Sequence, residues 1–246
     1  MTGFEPGFQR VGRAVRWLLL GACLSLVLGC ASGPQANPQD PLEPMNRQVM
    51  RFNDAVDNAV LKPVATTYRD KVPSLIRTGV SNFFSNWRDA WSAANGVLQA
   101  RPKEAAENFL RFGVNTFLGL GGLLDIASDM GIERTTLDFG LTLARWGVPA
   151  GPYVVLPLFG PSSVRDASAS FTVDGAGDPL AYGTVDVATR NSLYALRVVD
   201  TRTQLLRAGN MLEEASLDRY SFLRDAYLQR RQSLAGQVVP EERYDE

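Results

Sequence analysis

The 246-residue chain contains no histidine. Imidazole is the commonest general base and the commonest metal ligand, so its absence removes both roles at once. Cysteine is nearly as scarce, occurring only as Cys23 and Cys30. Two sulfurs without an imidazole cannot build a structural zinc site, which takes about four nitrogen or sulfur ligands. Triads of the Ser-His-Asp or Cys-His kind are excluded on the same ground. Only carboxylates, lysine and tyrosine remain for catalysis, and neither an enzyme nor a cofactor nor a metal is expected. An excess of positive charge is also missing, with 25 basic residues against 26 acidic. That balance is unlike a phosphate-backbone binder, so no nucleic acid is expected as partner. The phosphate-loop pattern GxxxxGK[ST] does not occur, so no nucleotide-driven step is expected. Beyond residue 30 no segment reaches 18 uninterrupted apolar residues, which argues against a conventional membrane-spanning helix.

What is present begins at the amino terminus. Arg10, Arg13 and Arg16 precede an apolar run, Trp17 to Leu28, broken only by Gly21 and Ser25. Its 12 residues match the core of an export signal, about 7–15 residues, and fall short of a span, about 17–25. The run ends Val27-Leu28-Gly29-Cys30, which resembles a bacterial lipobox. Such signals are cut before the cysteine, which receives a diacylglycerol on sulfur and an acyl chain on its new amine. Ala31, not aspartate, follows Cys30; by the usual sorting rule the expected address is the periplasmic leaflet of the outer membrane. Three acyl chains would anchor firmly, at about 0.8 kcal/mol per buried methylene. The expected divisions are a signal peptide at 1–29, a lipidated flexible tether at 30–41, a helical domain at 42–236 and a disordered acidic tail at 237–246. Cys23 leaves with the signal, so no internal disulfide is expected.

The body reads as mainly α. Met45, Val49, Phe52, Val56 and Val60 recur at helical spacing until Pro63 ends or kinks the helix. Ser74 is expected to cap a helix carrying Leu75, Ile76, Val80, Phe83, Phe84, Trp87 and Trp91 to about Gly96. Pro102 suits a first turn, and Ala105, Phe109, Phe112 and Phe117 follow at helical spacing. Asp138–Trp146 and Ser163–Phe171 suit short helices. Val185–Leu206 suits a long one, and Asp218 caps a last helix through Leu234. Gly147–Ser162, rich in glycine and proline, demands an extended, turn-rich passage.

Several blocks of the chain resemble the MlaA/VacJ lipoprotein family: DPLEPMNRQVMRFND (40–54), GVSNFFSNW (79–87), NTFLGLGGLLDIA (115–127), DFGLTLARWGV (138–148), GPYVVLPLFGPSSVRD (151–166), TRTQLL (201–206) and DAYLQRR (225–231). They run in order through nearly all of Asp40–Gln237. The departures are local: Asp89-Ala90 where an acidic residue and proline are frequent, Met45 for phenylalanine, and Ala167 for glycine. The resemblance implies an all-α, ring-like arrangement of amphipathic helices around a central channel, seated in the periplasmic leaflet beside a trimeric porin. It implies a passive conduit that takes mislocalised phospholipid from the outer leaflet and hands it to a periplasmic lipid carrier. A non-transporting scaffold lipoprotein that braces porins is the alternative, and a lipid hydrolase is the remoter one.

Four groups are candidate sites. Gly119, Gly121 and Gly122, with Leu123, Leu124 and Asp125, fail the spacing of a dinucleotide loop. They suit either a glycine-capped helix end or a mobile apolar loop at the channel mouth. Phe83, Phe84, Trp87 and Trp91 suit either a core face or a membrane-facing rim. Arg145, Arg165, Asp166, Arg197 and Arg202 suit a phosphate headgroup or a wet channel, or else surface ion pairs. Asp125, Asp129 and Glu133 do not match a calcium loop and are expected as solvated loop acids.

Overall fold

The computed structural model describes residues 40–178, 180, 186–215 and 218–236. The expected signal segment, Cys30, most of the tether and the acidic tail lie outside them. Helix α1 (Glu43–Val56) runs through a π-helical turn (Asp57–Leu61) into α2 (Lys62–Lys71). Pro63 has no N–H for an ordinary helical bond. The chain accommodates it with one wide turn, in which the Lys62 N–H reaches back five residues to the Asp57 carbonyl. The proline therefore leaves the rod continuous.

Two long helices follow, α3 (Ser74–Leu98) and α4 (Pro102–Phe117), packed closely against each other. Ser74 does not cap α3. It is already helical, while Pro73 with ψ 142° sets the entry and no side chain caps the end. Short helices α5 (Ile126–Asp129) and α6 (Phe139–Arg145) come next, capped by Asp125 and Asp138. The passage 147–162 is the expected extended one, and it closes as a hairpin of β1 (Tyr153–Leu156) and β2 (Gly160–Ser163). These strands pair antiparallel from Tyr153 opposite Ser163 to Leu156 opposite Gly160. Ser163 caps α7 (Val164–Ala169), which widens into a second π turn (Ser170–Asp174). Helix α8 (Val187–Ala215) outruns its expected end at Leu206, and α9 (Arg219–Leu234) is capped by Asp218 as expected.

The free edge of β1 is covered by side chains of α1. Asn46, fully buried, donates to the Tyr153 carbonyl at 3.0 Å and accepts from the Val155 N–H at 2.9 Å. Asn53, two helical turns on, does the same for the Leu156 carbonyl and the Leu158 N–H. Two carboxamides thus replace a third strand and satisfy backbone groups that an edge leaves open. Beneath them Tyr153, Val155 and Tyr220 form a small apolar core with Val49 and Tyr227 against it.

The packing contacts make a closed circuit. Helix α3 lies on α8, α8 on α2, α2 continues α1, α1 holds the hairpin, the hairpin meets α7, α7 packs on α6, and α6 returns to α3. Concavities lie between elements of this mainly helical circuit. No helix among the described residues is long and apolar enough to cross a membrane.

Candidate functional site

The glycine-rich turn closes helix α4. The Leu118 N–H bonds the Val114 carbonyl, and the Gly121 and Gly122 N–H groups reach back to Thr116 and Asn115. Gly121 and Gly122 both take positive φ, 74° and 93°, as a helix end of this type requires. Gly119 sits so close to the Asn115 and Leu124 carbonyls that a Cβ would lie 2.4 and 2.3 Å from them. From α3, Asn82 donates to the Leu123 carbonyl, and Asn86 lies directly over Gly122. The backbone is therefore laced to α3, while Leu118, Leu120, Leu123 and Leu124 turn outward.

Asp125 departs from the expected solvated acid. It receives Arg111 Nη2 on both oxygens and the Ser128 N–H and hydroxyl; Asn115 Nδ2 donates to Oδ1. Burial alone would raise its pKa, but Ser128, Asn115, Arg111 and Arg134 outweigh it and hold it below the ordinary carboxylate value. Arg111 also reaches Asp89 and the Ile132 carbonyl. Asp129 and Glu133 are exposed, as expected.

Arg165 and Asp166 are likewise held in a network within the protein. Both are buried and paired at 2.9 Å, and Arg165 also donates to the Val148 carbonyl. Tyr227 donates to Asp166 Oδ2 at 2.6 Å, and Arg231 bridges Asp166 and Asp138. This network pins α7 and α6 to α9. Arg145 stands exposed at the end of α6. Arg197 and Arg202 are ion-paired, to Asp178 and to Asp57.

Among the concavities of the described residues, beside a more open one lined by Val64, Tyr68, Lys71 and Leu196, two combine an apolar lining with charged walls. The larger, about 740 Å³, lies among α1, the hairpin, α8 and α9. Met50, Leu61, Leu158, Leu205 and Phe222 give it an apolar lining, and the pairs Arg202–Asp57 and Arg219–Asp54 give it polar walls. The smaller, about 340 Å³, lies between α3, the second π turn and α8. Phe83, Trp87 and Trp91 line it, with Arg88 and Asp174 among them. Trp91 donates its indole N–H to Asp174 at 2.7 Å, and Gly177 approaches that indole so closely that a Cβ would overlap it. Both volumes fall in the usual range for small-molecule pockets, about 300–1,000 Å³.

Arg88 differs from Arg197, Arg202 and Arg219 of the two concavities, which are ion-paired. Its one hydrogen bond goes to the Ser85 hydroxyl, at 2.9 Å, and no carboxylate within the described residues lies at ion-pair distance. The residue is open to solvent, yet the protein around its guanidinium lowers its pKa, with Arg134 and Arg197 adding to the effect and Asp89 and Asp200 opposing it. A cation that is accessible but crowded stands at the wall of a concave space. Sequence reasoning passed over it. The available signal was a single arginine set between Trp87 and Trp91 on an otherwise aromatic stripe.

The α3–α4 pair is inverted relative to a water-soluble domain. On the buried faces of its helices lie Asp89, Ser92, Asn95, Asn108, Arg111 and Asn115, bonded across the pair (Arg111 to Asp89) or to the segment 125–142 (Ser92 to Leu137, Asn95 to Thr142, Asn108 to Thr135, Asn115 to Asp125), and all almost wholly buried. Facing out are Phe117 (86% exposed), Leu75 (76%), Val97 (70%) and Phe109 (66%). In water such an apolar exterior is a binding surface or a liability. Against hydrocarbon it needs no cover, and polar contacts take over the joining of helices.

The chain was compared with known proteins. The family model described as MlaA lipoprotein matches residues 38–234. The intermembrane phospholipid transport system lipoprotein MlaA of Escherichia coli (strain K12) is 37% identical over 226 residues, covering 89% of this chain and 88% of the relative. The protein of the same name from Haemophilus influenzae is 33% identical over 221 residues, covering 86% and 87%. A solved structure described as the structural basis for maintenance of bacterial outer membrane lipid asymmetry superposes with a TM-score of 0.69 at 38% identity. It covers 80% of this chain and 98% of that one. The chain belongs to the MlaA lipoprotein family.

Proposed function

We propose that the protein is an outer-membrane lipoprotein, anchored through Cys30, that forms a passive conduit for phospholipid. It would take mislocalised phospholipid from the outer leaflet and pass it to a periplasmic lipid carrier, beside a trimeric porin, and so keep the two leaflets different. The observation that carries this is the inverted α3–α4 pair, polar where buried and apolar where exposed, in a body that carries amphipathic concavities between its helices. A body seated in a leaflet wants an apolar outside. A path for an amphiphile wants charge and hydrocarbon side by side, because exposing acyl surface to water costs about 25 cal/mol per Å². Relatives named for intermembrane phospholipid transport support the same function. The exposed leucines of the turn 118–124 would belong to the lipid-contacting rim, and the work requires no catalysis.

Deleting the gene and labelling whole cells with an impermeant amine-reactive reagent tests this. Surface-labelled phosphatidylethanolamine should rise, and the full chain should restore the wild-type level. A Cys30→Ala chain, present in equal amount, should not. Unchanged surface labelling after deletion would refute the conduit.

A further inference from the structure

The smaller concavity combines a cation that makes no close ion pair among the described residues with a wall of aromatic rings. A guanidinium carries five N–H donors, and Arg88 spends one contact on Ser85. A guanidinium crowded by protein and without a close ion-pair partner gains from an anion that joins it. The nearby carboxylates are committed elsewhere. Asp89 pairs with Arg134 and Arg111, Asp178 pairs with Arg197, Asp174 accepts from Trp91 and from the Phe139 N–H, and buried Asp200, which attracts Arg88 from beyond ion-pair distance, accepts from Gln204. An anion entering the space therefore finds Arg88 with donors to spare and Arg197 on the opposite helix, which adds positive potential.

The walls decide what kind of anion. Phe83, Trp87 and Trp91 offer apolar area that a small hydrated anion cannot use. An amphiphile gains from both, since indoles pair hydrophobic area with a polar edge. A volume of about 340 Å³ is at the low end for ligand pockets, room for a headgroup and glycerol with the acyl tails left outside.

We infer that this concavity binds the phosphodiester of a glycerophospholipid headgroup, with Arg88 donating to the phosphate and the Trp87 and Trp91 indoles contacting the glycerol and first acyl methylenes. The inference rests on the phospholipid-conduit function and adds to it a site.

The test uses the full lipoprotein held in amphipol, carrying Trp146→Phe so that Trp87 and Trp91 report binding by fluorescence. Four probes are titrated: dihexanoyl-phosphatidylglycerol, dihexanoyl-phosphatidylethanolamine, dihexanoylglycerol and inorganic phosphate. Both phospholipids should saturate the signal. Arg88→Gln should raise their Kd about tenfold or more, the usual weight of a charge-assisted hydrogen bond, and leave dihexanoylglycerol within about twofold. Arg88→Lys, which keeps the charge without the fork, should fall between and shows that the fold survives. An unchanged phospholipid Kd in Arg88→Gln overturns the site, as does an equal loss for dihexanoylglycerol. Inorganic phosphate saturating as tightly as the lipids would make it a free-phosphate site and overturn the lipid assignment. Those three results leave the conduit function standing. A wild-type chain that binds neither phospholipid by any readout, including mass spectrometry of co-purified lipid, removes the conduit and the site together.

Discussion

Arg111 on α4 grips Asp125, at the far end of the glycine-rich turn, with Nη2 2.7 and 2.9 Å from its two carboxylate oxygens. The guanidinium is 1% exposed and also meets Asp89 across the α3–α4 interface. One cation thus joins two helices and the turn between α4 and α5. Removing it strands two carboxylates that only Arg134, at the edge, continues to neutralise.

Arg111→Met should therefore lower stability by about 3–5 kcal/mol, the usual result of breaking a buried pair. Asp129→Asn, on an exposed carboxylate of the same segment, should change it by no more than about 0.5 kcal/mol. Denaturant unfolding of the detergent-held protein measures both. Equal effects from the two substitutions would show that burial of the network does not matter.

The glycines of the turn should rank by geometry. Gly119→Ala drives a methyl into two carbonyls and should cost about 2–3 kcal/mol. Gly121→Ala meets no atoms but must hold φ 74°, which costs about 1–2 kcal/mol. Gly113→Ala, inside α4 with open space around it, should stabilise by about 0.5–1 kcal/mol through helix propensity. Thermal melts of the three variants check the order; a neutral Gly119→Ala would contradict the tight turn.

Acid stability should depend on Tyr227. Burial would raise the Asp166 pKa, but the Tyr227 hydroxyl, Arg231 and Arg165 outweigh it and hold it below the ordinary value. A carboxylate depressed in the folded state stabilises the protein above its unfolded pKa, about 3.9. That stabilisation fades as pH falls through the folded pKa. Tyr227→Phe removes the 2.6 Å donor, so the midpoint of acid unfolding should move to higher pH. At neutral pH the loss should be about 1–3 kcal/mol. An acid midpoint identical to wild type would show that Tyr227 does not control Asp166.

The exterior of α4 should sit in hydrocarbon. Nitroxides placed by Phe109→Cys and Phe117→Cys in the reconstituted lipoprotein should collide more with oxygen than with a water-soluble nickel complex. A nitroxide at Asp129→Cys, on an exposed polar position, should show the reverse. Nickel dominating at all three positions would place the inverted face in water.

Much of this fold was legible from local signals. Asp138, Ser163 and Asp218 each stand just before a helix and do cap one. Pro102 opens α4 because a first-turn N–H has no partner to lose. Signals that depend on distant partners were not legible. The segment 147–162 read only as extended, since its pairing is completed by Asn46 and Asn53 about a hundred residues upstream. Asp125 read as a loop acid because Arg111 reaches it only once α4 has folded back. Arg165 and Asp166 read as exposed charges because Tyr227 and Arg231 come from the last helix. Arg88 was hidden for the opposite reason: what marks it is a place among aromatic rings without a close ion pair, its hydrogen bond going to Ser85, which no sequence window displays.

The most direct test is transfer itself. Vesicles with labelled phospholipid in one leaflet, bearing the reconstituted lipoprotein and a porin, are mixed with an acceptor lipid-binding protein, and label reaching the acceptor is followed over time. The conduit predicts transfer without nucleotide, well above that from vesicles with porin alone and proportional to the amount of lipoprotein. Transfer at the same rate from vesicles lacking the lipoprotein would contradict it.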